Sequence, residues 1–197
     1  MTTATISRST ETEGVEKVEP VVAYMKGNKV FINLSPEVKS LREKGYGDLK
    51  RGRLYLNPFE ALYLAEKGKI QVKDLSYNNL IPFHDLISKL SKGEVETWIK
   101  YLIYRDLRER GYIVRESNIV DFEIYGKTVM RRLLSIIHEG TDASLSRLNK
   151  LLSYAKRERK ELVLAVIDRR TDIVYYILDL IEFDKRVAPW LNYVKSS

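Results

Sequence analysis

The chain has 197 residues, no cysteine, two histidines and a net charge of +7. Without cysteine there is no disulfide, no thiol nucleophile and no thiolate-held metal. His84 and His138 lie too far apart to suggest a zinc or iron centre, so neither metal nor cofactor is expected. No apolar run approaches the ~18 residues of a membrane span. The opening MTTATISRSTETEGVEKVEP lacks the apolar core of a signal peptide, and the expectation is a cytoplasmic protein with no membrane contact. The basic surplus permits binding to nucleic-acid phosphates without requiring it. A composition rich in Lys, Glu and Arg suits a hot-growing source.

Residues 1–19 hold Thr, Ser and Glu with few large apolar groups and read as a disordered tail. A small N-terminal α+β domain is expected over 20–93. VVAY and KVFINL flank Gly27-Asn28, a pair suited to a tight hairpin turn. Pro36 to Lys44 can form a short helix with Ser35 as N-cap and Gly45 as its stop. Arg53 to Leu56 alternates as a strand does. Asn57-Pro58-Phe59-Glu60 is a helix start: Asn57 caps, Pro58 sits at the first helical position, and Glu60 can reach back to the cap. That helix stops at Gly68, KIQV (69–72) follows as a short strand, and another helix is predicted from Pro82 to Lys92, closed by Gly93.

A C-terminal domain with a central mixed sheet is expected over 94–183, followed by an extension, 184–197. It opens with an amphipathic helix that places Trp98, Leu102 and Arg105 on one stripe, with Ile99, Ile103 and Leu107 beside it, and ends at Gly111. YIVRE, DFEIY and VMRRLLSII read as strands. Asp142 to Arg159 returns to helical spacing through Leu145, Leu148, Leu152 and Ala155. ELVLAVID and DIVYYILDLIEF are strands joined by a turn at Arg169-Arg170-Thr171. Both are nearly continuous apolar runs, which predicts a covering layer beyond a single core face.

Three passages resemble the tRNA-intron endonuclease family of archaeal type. GYGDLKRGRLYLNPFEALYLAEKGKIQV (45–72) is similar to its N-terminal domain, where a Gly-aromatic-Gly turn precedes an L-x-P-x-E-A-L-Y-L helix. YLIYRDLRERGYIVRE (101–116) with DFEIY (121–125) resembles its helix-to-strand signature and D-F-x-x-Y segment. RKELVLAVIDRRTDIVYY (159–176) resembles its closing hairpin. The resemblance implies a small α+β domain followed by a nuclease-like α/β domain. It also implies subunits that pair along their last strands and insert an acidic hairpin loop into a neighbour. The implied substrate is precursor tRNA with a bulge-helix-bulge at the intron boundaries, cut without metal to give 2′,3′-cyclic phosphate and 5′-OH ends.

That reaction needs a base for the 2′-OH, an acid for the departing 5′-oxygen and a cation for the phosphorane. The family uses Tyr, His and Lys. Tyr125 and Lys160 match the tyrosine and lysine positions. The histidine falls about ten residues after the tyrosine in the family, but here GKTVMRR separates Tyr125 from LLSII and contains none. His138, at the far end of that strand, is not a substitute. Read without the resemblance, Tyr125 is a packing residue at a strand end and Lys160 a solvated cation. The resemblance makes Asp168 and Asp172 the flanks of the inserting loop, although Arg169 and Arg170 dilute its acidity. It makes Tyr175, Tyr176 and Leu178 an interface strand, while Lys156, Arg157 and Arg159 are either a solvated helix end or phosphate contacts. The first reading is a structural subunit partnered by a catalytic endonuclease subunit, as a heterotetramer. The alternatives are an active self-assembling endoribonuclease and a stand-alone RNA-binding module.

Overall fold

The computed structural model describes residues 19–126, 131–141 and 144–179. The expected disordered tail, apart from Glu19, and the 184–197 extension lie outside these residues. The N-terminal half is a five-stranded sheet with three helices. β1 (Val21–Lys26) and β2 (Lys29–Asn33) form the expected hairpin. Its two-residue turn has a positive φ at Gly27 only, the pattern of a type II′ turn with glycine first. α1 (Pro36–Glu43) follows, with Ser35 at the N-cap position but making no side-chain capping bond. β3 (Asp48–Lys50), β4 (Arg53–Leu56), α2 (Pro58–Glu66), β5 (Ile70–Asp74) and α3 (Phe83–Ser91) complete the unit. The sheet order is β3-β4-β2-β1-β5, with β1 and β5 parallel.

The capping box at α2 forms as the sequence predicts. Asn57 Oδ1 accepts from the Glu60 backbone N–H at 2.8 Å, and Glu60 Oε2 accepts from the Asn57 N–H at 2.9 Å. The second carboxylate oxygen of Glu60 accepts from the Gly47 N–H at 3.1 Å. One buried carboxylate therefore ties the Gly45-Tyr46-Gly47 turn to the helix start. Burial pushes the Glu60 carboxyl above its ordinary pKa, against the pull of those two backbone donors.

Both glycines of this turn are required by their surroundings. A Cβ on Gly47 would lie 2.8 Å from the Tyr55 carbonyl oxygen and from Leu54 Cγ, on a backbone with φ +67. Gly47→Ala is expected to cost about 2–3 kcal/mol, combining left-handed strain with overpacking. In a chain of this size that lowers Tm by roughly 5–10 °C, readable by calorimetry. A shift under about 2 °C would mean that the turn relaxes freely.

The C-terminal half is built from α4 (Val95–Glu109), β6 (Ile113–Glu116), β7 (Phe122–Tyr125), β8 (Arg131–His138), α5 (Leu145–Arg157), β9 (Glu161–Ile167) and β10 (Ile173–Leu178). The sheet order is β10-β9-β8-β7-β6. Only β8 and β9 run parallel, and α5 is the crossover that this pairing demands. One face, carrying Phe122, Ile124, Leu134, Val163 and Ala165, joins the main core with α4. The other, through Leu133 and Leu162, packs on Leu151, Leu152 and Ala155 of α5.

The main core runs without a break from one half into the other. Phe59 of α2, Tyr104 of α4 and Phe122 of β7 form a triangle, with ring centroids 5.5 to 6.1 Å apart. Arg108 pins the junction. Its guanidinium donates to the Lys44 carbonyl at 2.9 Å and the Tyr112 carbonyl at 3.2 Å, and it lies 3.8 Å from the Tyr46 ring centroid.

The expected covering layer is present for β9 and incomplete for β10. β9 is buried along most of its length, whereas Val174, Tyr176 and Ile177 of β10 are exposed and, among the described residues, β10 pairs only with β9. The last described strand is thus an apolar sheet edge.

Candidate active site

Tyr125 ends β7, and Lys160 immediately precedes β9. Between them runs β8, paired antiparallel to β7 and parallel to β9, so both residues lie at the same end of the sheet. Lys160 is placed by the stop of α5. Arg159 takes a left-handed conformation (φ 54), and the Lys160 N–H closes on the Ala155 carbonyl at 2.9 Å. The two residues that sequence reasoning paired are brought together by a third that it missed. Glu123 Oε2 accepts from the Tyr125 hydroxyl at 2.9 Å and from the Lys160 ammonium at 3.4 Å. The period of two along β7 puts Glu123 and Tyr125 on one face; this was the available signal, inside D-F-E-I-Y itself.

Side-chain exposure is 22% for Glu123 and 14% for Lys160, so the pair is only partly hydrated. Burial, and then the Glu123 carboxylate as hydrogen-bond acceptor and negative neighbour, raises the Tyr125 phenol above its usual pKa. Arg131, at the start of β8, lies with its guanidinium carbon 5.3 Å from the Tyr125 ring centroid. Arg115 stands opposite Glu123 across β6 and β7 and pairs with Asp48 of the N-terminal half at 3.5 Å. Asp121, which opens the D-F-E-I-Y segment, is structural: it accepts from the Ile136 N–H at 2.8 Å and pairs with Lys100 of α4 at 3.3 Å.

His138 ends β8, seven positions beyond Arg131, or ~23 Å along the strand. It does not reach Tyr125. His84 is an exposed residue of α3 that pairs with Asp85. Arg157 packs near the Tyr154 ring and pairs with Glu158 at 3.5 Å, while Lys156 and Arg159 flank it at the end of α5, close in sequence to Lys160. Among the described residues no group of three or more His, Cys, Asp or Glu could hold a metal ion, and no helix is long and apolar enough to cross a membrane.

At the closing hairpin, Asp168 is engaged by its own turn. It accepts from the backbone N–H groups of Arg170 at 2.8 Å and Asp172 at 2.9 Å, which hold its carboxyl below the usual range. The Arg170 side chain pairs with both acids, at 3.5 Å to Asp168 and 3.8 Å to Asp172. On β10, Tyr175 turns inward and donates to Asp106 of α4 at 2.7 Å, and Leu178 packs on the α5 cluster. Tyr176 is the one of the three tested by solvent, at 54% exposure.

Fold and site together define a two-part α+β protein with a tyrosine–carboxylate–lysine cluster at one end of its second sheet. The sequence profile of the tRNA intron endonuclease N-terminal domain matches residues 21–87, and that of the catalytic C-terminal domain matches residues 97–175. A protein of Pyrococcus horikoshii named tRNA-splicing endonuclease is 34% identical over 171 residues, covering 84% of this chain and 99% of the relative. The namesake from Pyrococcus furiosus is 34% identical over 165 residues, covering 81% and 96%. That from Methanococcus maripaludis is 30% identical over 163 residues, covering 79% and 92%. The chain belongs to the tRNA intron endonuclease family.

Proposed function

We propose that this chain is a structural subunit of a tRNA-splicing endonuclease and works beside a catalytic partner that carries the full Tyr-His-Lys set. The complex removes introns from precursor tRNA at bulge-helix-bulge sites and leaves 2′,3′-cyclic phosphate and 5′-OH ends. The observation that carries the structural role is the state of the cluster. Residues 126–132, GKTVMRR, supply no histidine to protonate the leaving oxygen. Glu123 meanwhile engages both the tyrosine that would act as base and the lysine that would steady the phosphorane. A tyrosine whose pKa is raised is a poorer base at neutral pH. Loss of a general acid alone removes typically about 10²–10⁴-fold in rate.

The exposed apolar edge of β10 supports the subunit role. An edge that no other described strand covers, with Val174, Tyr176 and Ile177 exposed, invites pairing, and a partner strand would satisfy its backbone. The hairpin at Asp168–Asp172 would then project toward the partner, its two acids partly neutralised by Arg170. Lys156, Arg157 and Arg159 are the proposed RNA contacts of this chain.

The experiment is reconstitution with the His-bearing partner, assaying precursor tRNA cleavage with each chain alone and together. Tyr125→Phe in this chain is expected to leave the rate of the assembled complex within about threefold of wild type. A fall of 100-fold with assembly preserved would overturn the structural assignment, and efficient cleavage by this chain alone would establish an active, self-assembling enzyme instead.

A further inference from the structure

We infer that Glu123 is a built-in occupant of the anion site formed by Tyr125 and Lys160, so that the chain closes this site to RNA phosphate with its own carboxylate. The inference rests on the reading of this cluster as a vestigial cleavage site. A phosphodiester oxygen entering it would need a hydroxyl donor and an ammonium within hydrogen-bond reach. Glu123 Oε2 already holds both, at 2.9 Å from the Tyr125 oxygen and 3.4 Å from Lys160 Nζ. A carboxylate carries the same single negative charge as a phosphodiester, so the cluster is electrostatically satisfied with nothing bound.

The setting makes Glu123 a fixed occupant rather than a passing one. It lies in the middle of β7, paired with Arg115 on β6 and Leu133 on β8, so its backbone cannot swing aside without breaking the sheet. Lys160 is anchored by the α5 stop and is mostly covered. Arg131 lies with its guanidinium carbon 5.3 Å from the Tyr125 ring centroid, and Arg115 stands opposite Glu123 on β6 while it pairs with Asp48. Removing Glu123 leaves a covered lysine and a hydroxyl facing a space that one acidic side chain has vacated, with no other carboxylate bonded to either group among the described contacts. The occupant that fits is a singly charged phosphodiester or phosphate.

The test uses the full chain and a dinucleoside monophosphate, ApA, titrated at low ionic strength and followed by calorimetry and phosphorus NMR. Glu123→Ala is expected to bind ApA about tenfold or more tightly than wild type. Glu139→Ala, which makes the same charge change at the opposite end of β8, is expected to bind as wild type does. Adding Lys160→Ala to Glu123→Ala is expected to abolish the gain. Glu123→Thr, whose short β-branched side chain suits a strand and leaves the space beside Tyr125 and Lys160 empty, serves the same comparison if Glu123→Ala does not fold. A gain no larger than that of Glu139→Ala overturns the inference, as does a gain that survives loss of Lys160 or a wild-type chain that already binds ApA as tightly as the variant. Cleavage is not the readout, so the outcome is separable from that of the reconstitution: partner dependence and a closed anion site can each fail without the other.

Discussion

Tyr176→Asp combined with Ile177→Asp is expected to abolish assembly with the catalytic partner while leaving the isolated chain folded. Both side chains lie on the free edge strand at 54% and 64% exposure, so this chain's own core does not depend on them. Tyr176 and Ile177 point to opposite faces of β10, and Ile177 lines a groove of about 320 Å³ with Tyr175, Val163 and Ile124. A partner strand along this edge would cover both faces. Burying two such side chains contributes about 1.5–3 kcal/mol each. Two aspartates would forfeit that and add desolvated charge, so association should weaken by roughly a thousandfold or more. Sedimentation with the partner at low micromolar concentration reads the effect, and an unchanged Tm checks the fold. Tyr175 and Leu178 would be poor choices for this purpose: the first is bonded to Asp106 and the second packs on α5, so their loss would confuse association with stability. If the double aspartate variant assembles normally, β10 is not the interface.

A large loss of stability is expected for Arg108→Ala. Arg108 is a covered guanidinium that holds two carbonyls, one from each half of the molecule, and lies over the Tyr46 ring. Hydrogen bonds to a charged donor contribute about 1.5–3 kcal/mol each where the acceptor would otherwise be left unpaired, and a desolvated cation–π contact adds about 1–2 kcal/mol. Partial rehydration of the carbonyls offsets some of this, leaving a loss of about 3–4 kcal/mol. The corresponding fall in Tm is roughly 10 °C. Arg108→Lys should recover little, because one ammonium cannot reproduce a planar fork and a stacked ring face. A loss below about 1 kcal/mol by denaturant titration would mean that the junction is held elsewhere.

Elements with strong local chemistry were legible in the sequence. The Asn57 cap, the Gly27-Asn28 hairpin and the helix stops at Gly45, Gly68 and Gly111 all lie where their residue types predict. β3 was not legible. Asp48-Leu49-Lys50 is three exposed residues with no alternation to betray a strand, and only pairing with β4 creates it. The stripe read on α4 named Trp98 and its neighbours but missed Tyr101 and Tyr104, which are fully buried. A tyrosine in a helix carries no sign of which face it serves, and it is α2 packing from the other half that decides. At the site, Tyr125 and Lys160 were found through motif positions, whereas Glu123, inside the same motif, was not singled out. Its role arises from Lys160, which is 37 residues away. The acids of the closing hairpin were read as flanks of an inserting loop, whereas Asp168 spends its hydrogen bonds on its own turn, which only backbone geometry reveals.

The aromatic triangle of Phe59, Tyr104 and Phe122 bears on how the chain is made as well as on how it stands. Synthesis delivers the first sheet and α2 before α4, and α4 before β7, so Phe59 and Tyr63 leave the ribosome with their covering residues still unmade. An N-terminal half that could close its own core would fold as it emerged. This one presents an aromatic helix face to the cell until roughly the first two-thirds of the polypeptide is out, because Phe122 belongs to β7. The parallel pairing of β8 with β9 then waits for α5 to be threaded across the sheet, a slow, non-local step. Nascent chains stalled before α4 should therefore bind chaperones that recognise exposed apolar surface, and those stalled after β7 should release them.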